Sequence, residues 1–175
     1  MLTQERYQSI LSIINDILDF SKIEAGKLEL ERVDFDLRSA VEDVVELLAE
    51  RAQNKGLELV CAIPADLATV FNGDALRLGQ VLTNLVGNAI KFTATGQVTL
   101  KVATRPQSPG LRLEVVDTGP GIADAQKQRL FQRFEQADGA RTAERYGGSG
   151  LGLSISNELA VAMGAEVTVL STSES

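Results

Sequence analysis

Five polar side chains that can do chemistry recur along one stretch: Arg77, Gln80, Asn84, Asn88 and Lys91. Their three- and four-residue steps place them on one stripe of a helix. Amide oxygens are hard ligands for a divalent cation, and a lysine meets phosphate oxygens as a point charge. The stripe can therefore bind a metal-bridged polyphosphate, although a solvated helix face has the same pattern. A second group lies at Asp117-Thr118-Gly119-Pro120-Gly121-Ile122. Asp117 continues an alternation through Leu111, Leu113 and Val115, so its carboxylate falls on their face. A charge facing a core needs donors. The amino group of a planar ligand is one; alternatively the strand has turned by then and Asp117 opens a turn in water. The two glycines give the backbone freedom beside this acid. A third group is Gly147-Gly148-Ser149-Gly150-Leu151-Gly152-Leu153. Glycines entering a helix N-terminus gather free amides and the positive end of the dipole, which together form an anion site.

The elements that must position these groups can be traced along the chain. A helix is expected from Asp74, as N-cap, to Thr93, with Leu78, Val81, Leu82, Leu85, Ala89 and Phe92 on its apolar face. Thr3 to Ala25 reads as a helix with a wide apolar arc (Tyr7, Ile10, Leu11, Ile14, Ile17, Leu18, Ile23), stopped by Gly26. Its breadth suits a bundle helix packed on another chain; folding back on the domain is the alternative. Lys27 to Leu37 looks extended and marks the domain boundary. Asp36 caps a second helix to about Asn54, ended by Gly56. Leu57 to Ile63 is a strand stopped by Pro64, and a loop leads on to Asn72-Gly73. Strands at Val98–Ala103 and Leu111–Asp117 form an antiparallel pair, and Ala123 to about Phe131 makes a short helix. The segment from Glu135 to Gly150, with Arg141 and Arg145, is long for a connector; such loops serve as lids or stay unstructured. A helix to about Met163 and a last strand from Glu166 to Leu170 close the pattern.

Composition narrows the function classes. The 175 residues suit one domain plus an appendage, and 44% hydrophobic residues suffice for a core. A net charge of -7 argues against nucleic acid and against anionic membranes. No apolar run approaches the roughly 20 residues of a membrane span, and no signal-peptide pattern opens the chain. A cytoplasmic setting is expected, either for a free protein or for the cytoplasmic portion of a membrane-anchored one. The single cysteine, Cys61, reads as a buried structural thiol. With no histidine, the chain has no imidazole base and hence no serine-hydrolase chemistry. The glycine-rich turn lacks the Lys-Ser or Lys-Thr of a P-loop.

Together these pieces resemble the catalytic, ATP-binding domain of sensor histidine kinases, preceded by the second helix of the dimerisation domain. Asn84 to Thr93 resembles the N box and Asp117 to Ile122 the G1 box. Leu130-Phe131-Gln132-Arg133-Phe134-Glu135-Gln136 resembles the F box, with Arg133 where proline is frequent. Gly148 to Leu153 resembles the G2 box, and Phe20-Ser21-Lys22-Ile23-Glu24-Ala25-Gly26 the end of the dimerisation helix. The resemblance implies an α+β fold, a two-layer α/β sandwich shared with gyrase, MutL-type and chaperone ATPases. In it a mixed sheet is covered by three helices and preceded by a long N-terminal helix. It implies residues 1–27 as the dimerisation helix and 28–175 as the ATP-binding domain, with its C-terminal strand truncated.

The ligands it implies are ATP and Mg²⁺. Asn88 would bind the metal with Asn84 beside it, Lys91 would touch phosphate, and Asp117 would accept from the adenine amino group. Phe92 and Ile122 would line the base, on the turn that contains Gly119 and Gly121. A lid from Phe134 to Tyr146, with Arg141, would close over ATP. Gly148, Ser149, Gly150, Leu151 and Gly152 would hold the phosphates. In related ATPases a glutamate that activates water stands where Asn84 stands here, and an amide is no general base. The expected activity is therefore phosphoryl transfer to a histidine, and onward to the aspartate of a response-regulator receiver domain. The acceptor-bearing helix is expected before Met1, so no catalytic residue is assigned in this chain and no autophosphorylation by it alone is expected. A homodimer through the N-terminal helix is the implied assembly. A non-catalytic nucleotide-binding module and an ATPase of the same fold are the alternatives; Asn84 argues against the second.

Overall fold

The computed structural model describes residues 4–105, 110–127, 130 and 150–170. Its elements are α1 (Gln4–Glu24), β1 (Val33–Asp36), α2 (Leu37–Asn54), β2 (Glu58–Ala62), β3 (Val70–Gly73), α3 (Ala75–Phe92), β4 (Gln97–Thr104), β5 (Leu111–Asp117), α4 (Asp124–Lys127) and α5 (Gly152–Ala162). They fall into two compact units. One holds the described residues from Glu31 to Ile122 with Leu170; the other holds those within Met1–Leu30 and Ala123–Val169.

In the first unit, α2 begins where the Asp36 side chain accepts from the Ser39 amide at 2.7 Å. That bond holds the Asp36 carboxyl below its ordinary range. The helix ends in a Schellman arrangement, with Leu57 N–H donating to Ala52 O and Gly56 N–H to Gln53 O around Gly56 at φ +72°. The same device, at Gly26 and Gly164, closes α1 and α5. These are the stops expected from the sequence.

β2 pairs parallel with β4, and β4 antiparallel with β5, so the sheet of order β2-β4-β5 is mixed. The connection from β2 to β4 contains α3, as a parallel crossover requires. α2 presents Leu37, Val41, Val44, Leu48 and Ala52; α3 presents Leu82, Val86, Ala89 and Ile90; β4 presents Val98, Leu100 and Val102. Burying each such valine or leucine is worth about 1.5–3 kcal/mol before ordering costs. The mixed α/β architecture expected from the sequence is present.

Three local expectations change. The buried face of α3 is centred on Val86 and Ile90 and not on Leu85 and Phe92; Phe92 is 48% exposed. The segment before Gly73 is not plain loop: β3 pairs antiparallel with β1, Val33 opposite Gly73, and the Asn72 amide donates to Asp34 at 2.7 Å. Residues 165–170 form no strand, and among the described residues they have no ladder partner. A strand exists only through such pairing, because its alternation leaves every backbone group to be satisfied by a neighbour.

In the second unit α1 packs against α5, whose Ile155, Leu159 and Ala160 are buried, as is Leu151 just before it. Ile10, Leu11, Ile14, Ile17 and Leu18 of α1 remain 37–53% exposed.

Candidate functional site

The site is organised by α3. At its start, both oxygens of the Asp74 carboxylate are used: Oδ1 accepts from the Arg77 amide at 2.9 Å and Oδ2 from the Glu31 amide at 3.1 Å. At its end, Lys55 Nζ donates to the carbonyls of Ile90 and Lys91 at 2.7 and 2.6 Å. A cation there offsets the negative end of the helix dipole. The polar stripe expected along the helix is real. Asn84, Asn88 and Lys91 are half-buried, Asn88 Nδ2 lies 3.5 Å from Asn84 Oδ1, and Arg77 donates to Gln80 at 2.8 Å. Lys91 Nζ sits 5.0 Å from the centre of the Phe92 ring. Burial lowers the Lys91 pKa from the ordinary lysine value.

Asp117 is the last residue of β5, opposite Val98 of β4. Leu111, Leu113 and Val115 pack on the core, and strand alternation puts Asp117 on their side. It is exposed, yet its Oδ1 has donors within the protein: the Gly119 amide at 2.8 Å and the Thr93 hydroxyl at 3.5 Å. Thr93 is the C-cap of α3 and fully buried. Thr118 fastens the neighbouring turn. Its hydroxyl donates to the Thr95 carbonyl and accepts from the Gln97 amide, both at 3.1 Å. A methyl at Gly96 would collide with that hydroxyl.

The structure thus brings the end of α3, through Thr93 and the Phe92 carbonyl, to Asp117 at the end of β5 and to Gly119 just after it. Gly121 follows at φ +72° and Ile122 is half-buried. Gly150, Leu151 and Gly152 belong to the other unit. There Gly150 has φ +69°, Leu151 is buried, and no side chain caps the start of α5. Phe134, Arg141, Tyr146, Gly148 and Ser149 lie outside the described residues.

Among the described residues no group of three or more His, Cys, Asp or Glu could hold a metal by itself. The neutral oxygens of Asn84 and Asn88 fit Mg²⁺ that arrives with phosphate, since that cation takes few protein ligands and keeps substrate oxygens and water. Cys61 is half-buried, and burial pushes its thiol pKa up, so it is no ready nucleophile. A groove lined by Ala62, Ile63, Pro64, Lys101, Val102, Ala103 and Glu114 contains none of the site residues above.

Residues 73–175 match the family described as histidine kinase-, DNA gyrase B-, and HSP90-like ATPase. The chain belongs to this family. It is 48% identical over 163 residues to signal transduction histidine-protein kinase BarA of Escherichia coli (strain K12), covering 91% of this chain and 18% of that protein. Among solved structures, full-length ShkA in complex with AMPPNP superposes with a TM-score of 0.77 at 38% identity, covering 91% of this chain and 32% of that one. The catalytic domain of histidine kinase ThkA gives 0.63 at 26% identity, covering 76% and 82%. The mixed sheet with its helices is therefore the histidine kinase catalytic fold. The chain spans less than a fifth of the length of BarA.

Two residues of this family member had no role in the sequence reading. Thr93 stood at the end of the N-box stretch, where a hydroxyl after a helix carries no local signal. Lys55 acts across 35 residues on the carbonyl end of another helix, which only tertiary structure displays.

Proposed function

We propose that this chain is the ATP-binding catalytic part of a two-component sensor histidine kinase. It transfers the γ-phosphoryl group of ATP to a histidine outside this chain, from which a response-regulator receiver aspartate is phosphorylated. The observation that carries the reading is the Asn84–Asn88 amide pair and Lys91 on one face of a helix whose end meets Asp117. Asn88 and Asn84 hold Mg²⁺ and Lys91 the phosphates. Asp117 accepts from the adenine amino group on the turn of Gly119 and Gly121, with Phe92 and Ile122 along the base. The amides of Gly148, Ser149, Gly150, Leu151 and Gly152 receive phosphate oxygens, and Phe134, Arg141 and Tyr146 belong to the lid.

A metal supplies charge neutralisation on the phosphates; the chain supplies position. With an amide at Asn84 there is no side chain to activate water at that place, so the phosphoryl group is kept for another nucleophile.

Residues 1–27 are the dimerisation segment and 28–175 the ATP-binding domain. The exposed row Ile10, Leu11, Ile14, Ile17 and Leu18 supports a homodimer through α1. No described helix is long and apolar enough to cross a membrane. The test mixes this chain with a separate histidine-bearing dimerisation fragment and γ-labelled ATP. Label on the fragment's histidine is the expected result. ATP binding without transfer would replace the kinase by a non-catalytic nucleotide-binding module.

A further inference from the structure

Thr93 is fully buried, and its hydroxyl has Asp117 Oδ1 as a partner. A buried hydroxyl that loses its acceptor is costly, so the pairing constrains both groups. The same oxygen accepts from the Gly119 amide at 2.8 Å. Two donors therefore converge on Oδ1, and both are supplied by the protein. Gly119 also approaches so closely that a methyl there would stand 2.7 Å from Oδ1 and 3.3 Å from Thr93 Oγ1. Both of these donors reach the carboxylate through the same oxygen, Oδ1.

We propose that Thr93 is a positioning residue that fixes which carboxylate oxygen of Asp117 receives the exocyclic amino group of the base, and so sets the preference for adenine. This rests on the reading of the site as a nucleotide pocket. Thr93 also terminates the helix that carries Asn84, Asn88 and Lys91. One residue thus ties the base acceptor to the phosphate-facing stripe, so that the two ends of a nucleotide are measured from the same point. The 3.5 Å separation is long for an O–H···O bond, and the proposal requires it to shorten when nucleotide binds.

The test compares the affinity of the full chain for ATP and for the triphosphate of purine riboside, which lacks the 6-amino group. Thr93→Val keeps the shape and removes the hydroxyl; Thr93→Ser keeps the hydroxyl. Wild type and Thr93→Ser are expected to prefer ATP. Thr93→Val is expected to lose about three- to ten-fold of that preference, the size of one net hydrogen bond, while the purine analogue binds as before. A merely structural role would weaken both ligands alike. Unchanged preference in a folded Thr93→Val variant overturns the proposal. If that variant does not fold, Thr93→Ala against Thr93→Ser isolates the same hydroxyl, with the same two outcomes. A wild-type protein indifferent to the amino group overturns the nucleotide-pocket reading and this proposal together.

Discussion

Replacing Gly119 with alanine should weaken adenine-nucleotide binding while leaving the fold in place. The new Cβ would lie 2.7 Å from Asp117 Oδ1, 3.3 Å from Thr93 Oγ1 and 3.6 Å from the Phe92 carbonyl oxygen. An ordinary C···O approach is about 3.3 Å or more, so roughly half an ångström must be found. Thr93 is fully buried and Phe92 O is backbone, so neither yields readily. The carboxylate is the exposed partner and moves instead, giving up the 2.8 Å bond from the Gly119 amide. A hydrogen bond to a charged acceptor is worth about 1.5–3 kcal/mol, and exposure at the strand end selects the lower figure. Binding the base requires the carboxylate back in its place against this clash, so the same energy sets the scale of the expected loss of affinity, about ten-fold. Titration calorimetry with Mg²⁺ and a non-hydrolysable ATP analogue reads the change, and thermal unfolding reports whether the domain is intact. Affinity within about two-fold of wild type, in a folded variant, would refute the argument that a fixed Asp117 carboxylate matters for binding.

Asn88→Ala should remove most of the increment in nucleotide affinity that Mg²⁺ confers. The check is the ratio of affinities with Mg²⁺ and with chelator, which should shrink toward one. Lys91 should make binding pH-dependent: its charged form favours the anion, and its pKa is lowered by burial. Affinity should therefore fall as pH rises through a range below that of an ordinary lysine, and Lys91→Gln should flatten the profile. The same depression means that the unfolded chain binds the extra proton in that window, so Lys91 makes stability rise with pH there. Lys55→Met should cost about 1 kcal/mol by uncovering the Ile90 and Lys91 carbonyls, and the unfolding temperature should drop by several degrees.

What could be read from the sequence was what local chemistry dictates. Asp36 and Asp74 cap their helices as expected, and Gly26, Gly56 and Gly164 end theirs, because caps and stops act within a few residues. The strands β4 and β5 followed from alternation. The pairing of β1 with β3 was hidden, since four residues of each carry too short a pattern and their partners lie far apart in sequence. The buried face of α3 was misplaced by part of a turn. Leu78, Leu82, Leu85, Val86, Ala89 and Ile90 make an arc wide enough for several choices, and packing against α2 and the sheet selects Val86 and Ile90. At the site, Asn84, Asn88, Lys91 and Asp117 were legible as types with a spacing. The Thr93 hydroxyl was not, because its meaning is its distance to Asp117.

The helix that carries the amide stripe is also part of the connection that lets β2 lie parallel to β4. A single residue inserted after Gly87 would swing Asn84 about 100° away from Asn88 around the axis. The same insertion would shift the arrival of β4 beside its neighbour. Length changes in this stretch are therefore penalised twice, by lost ligands and by a misaligned sheet, whereas point substitutions on the stripe need disturb only the ligands.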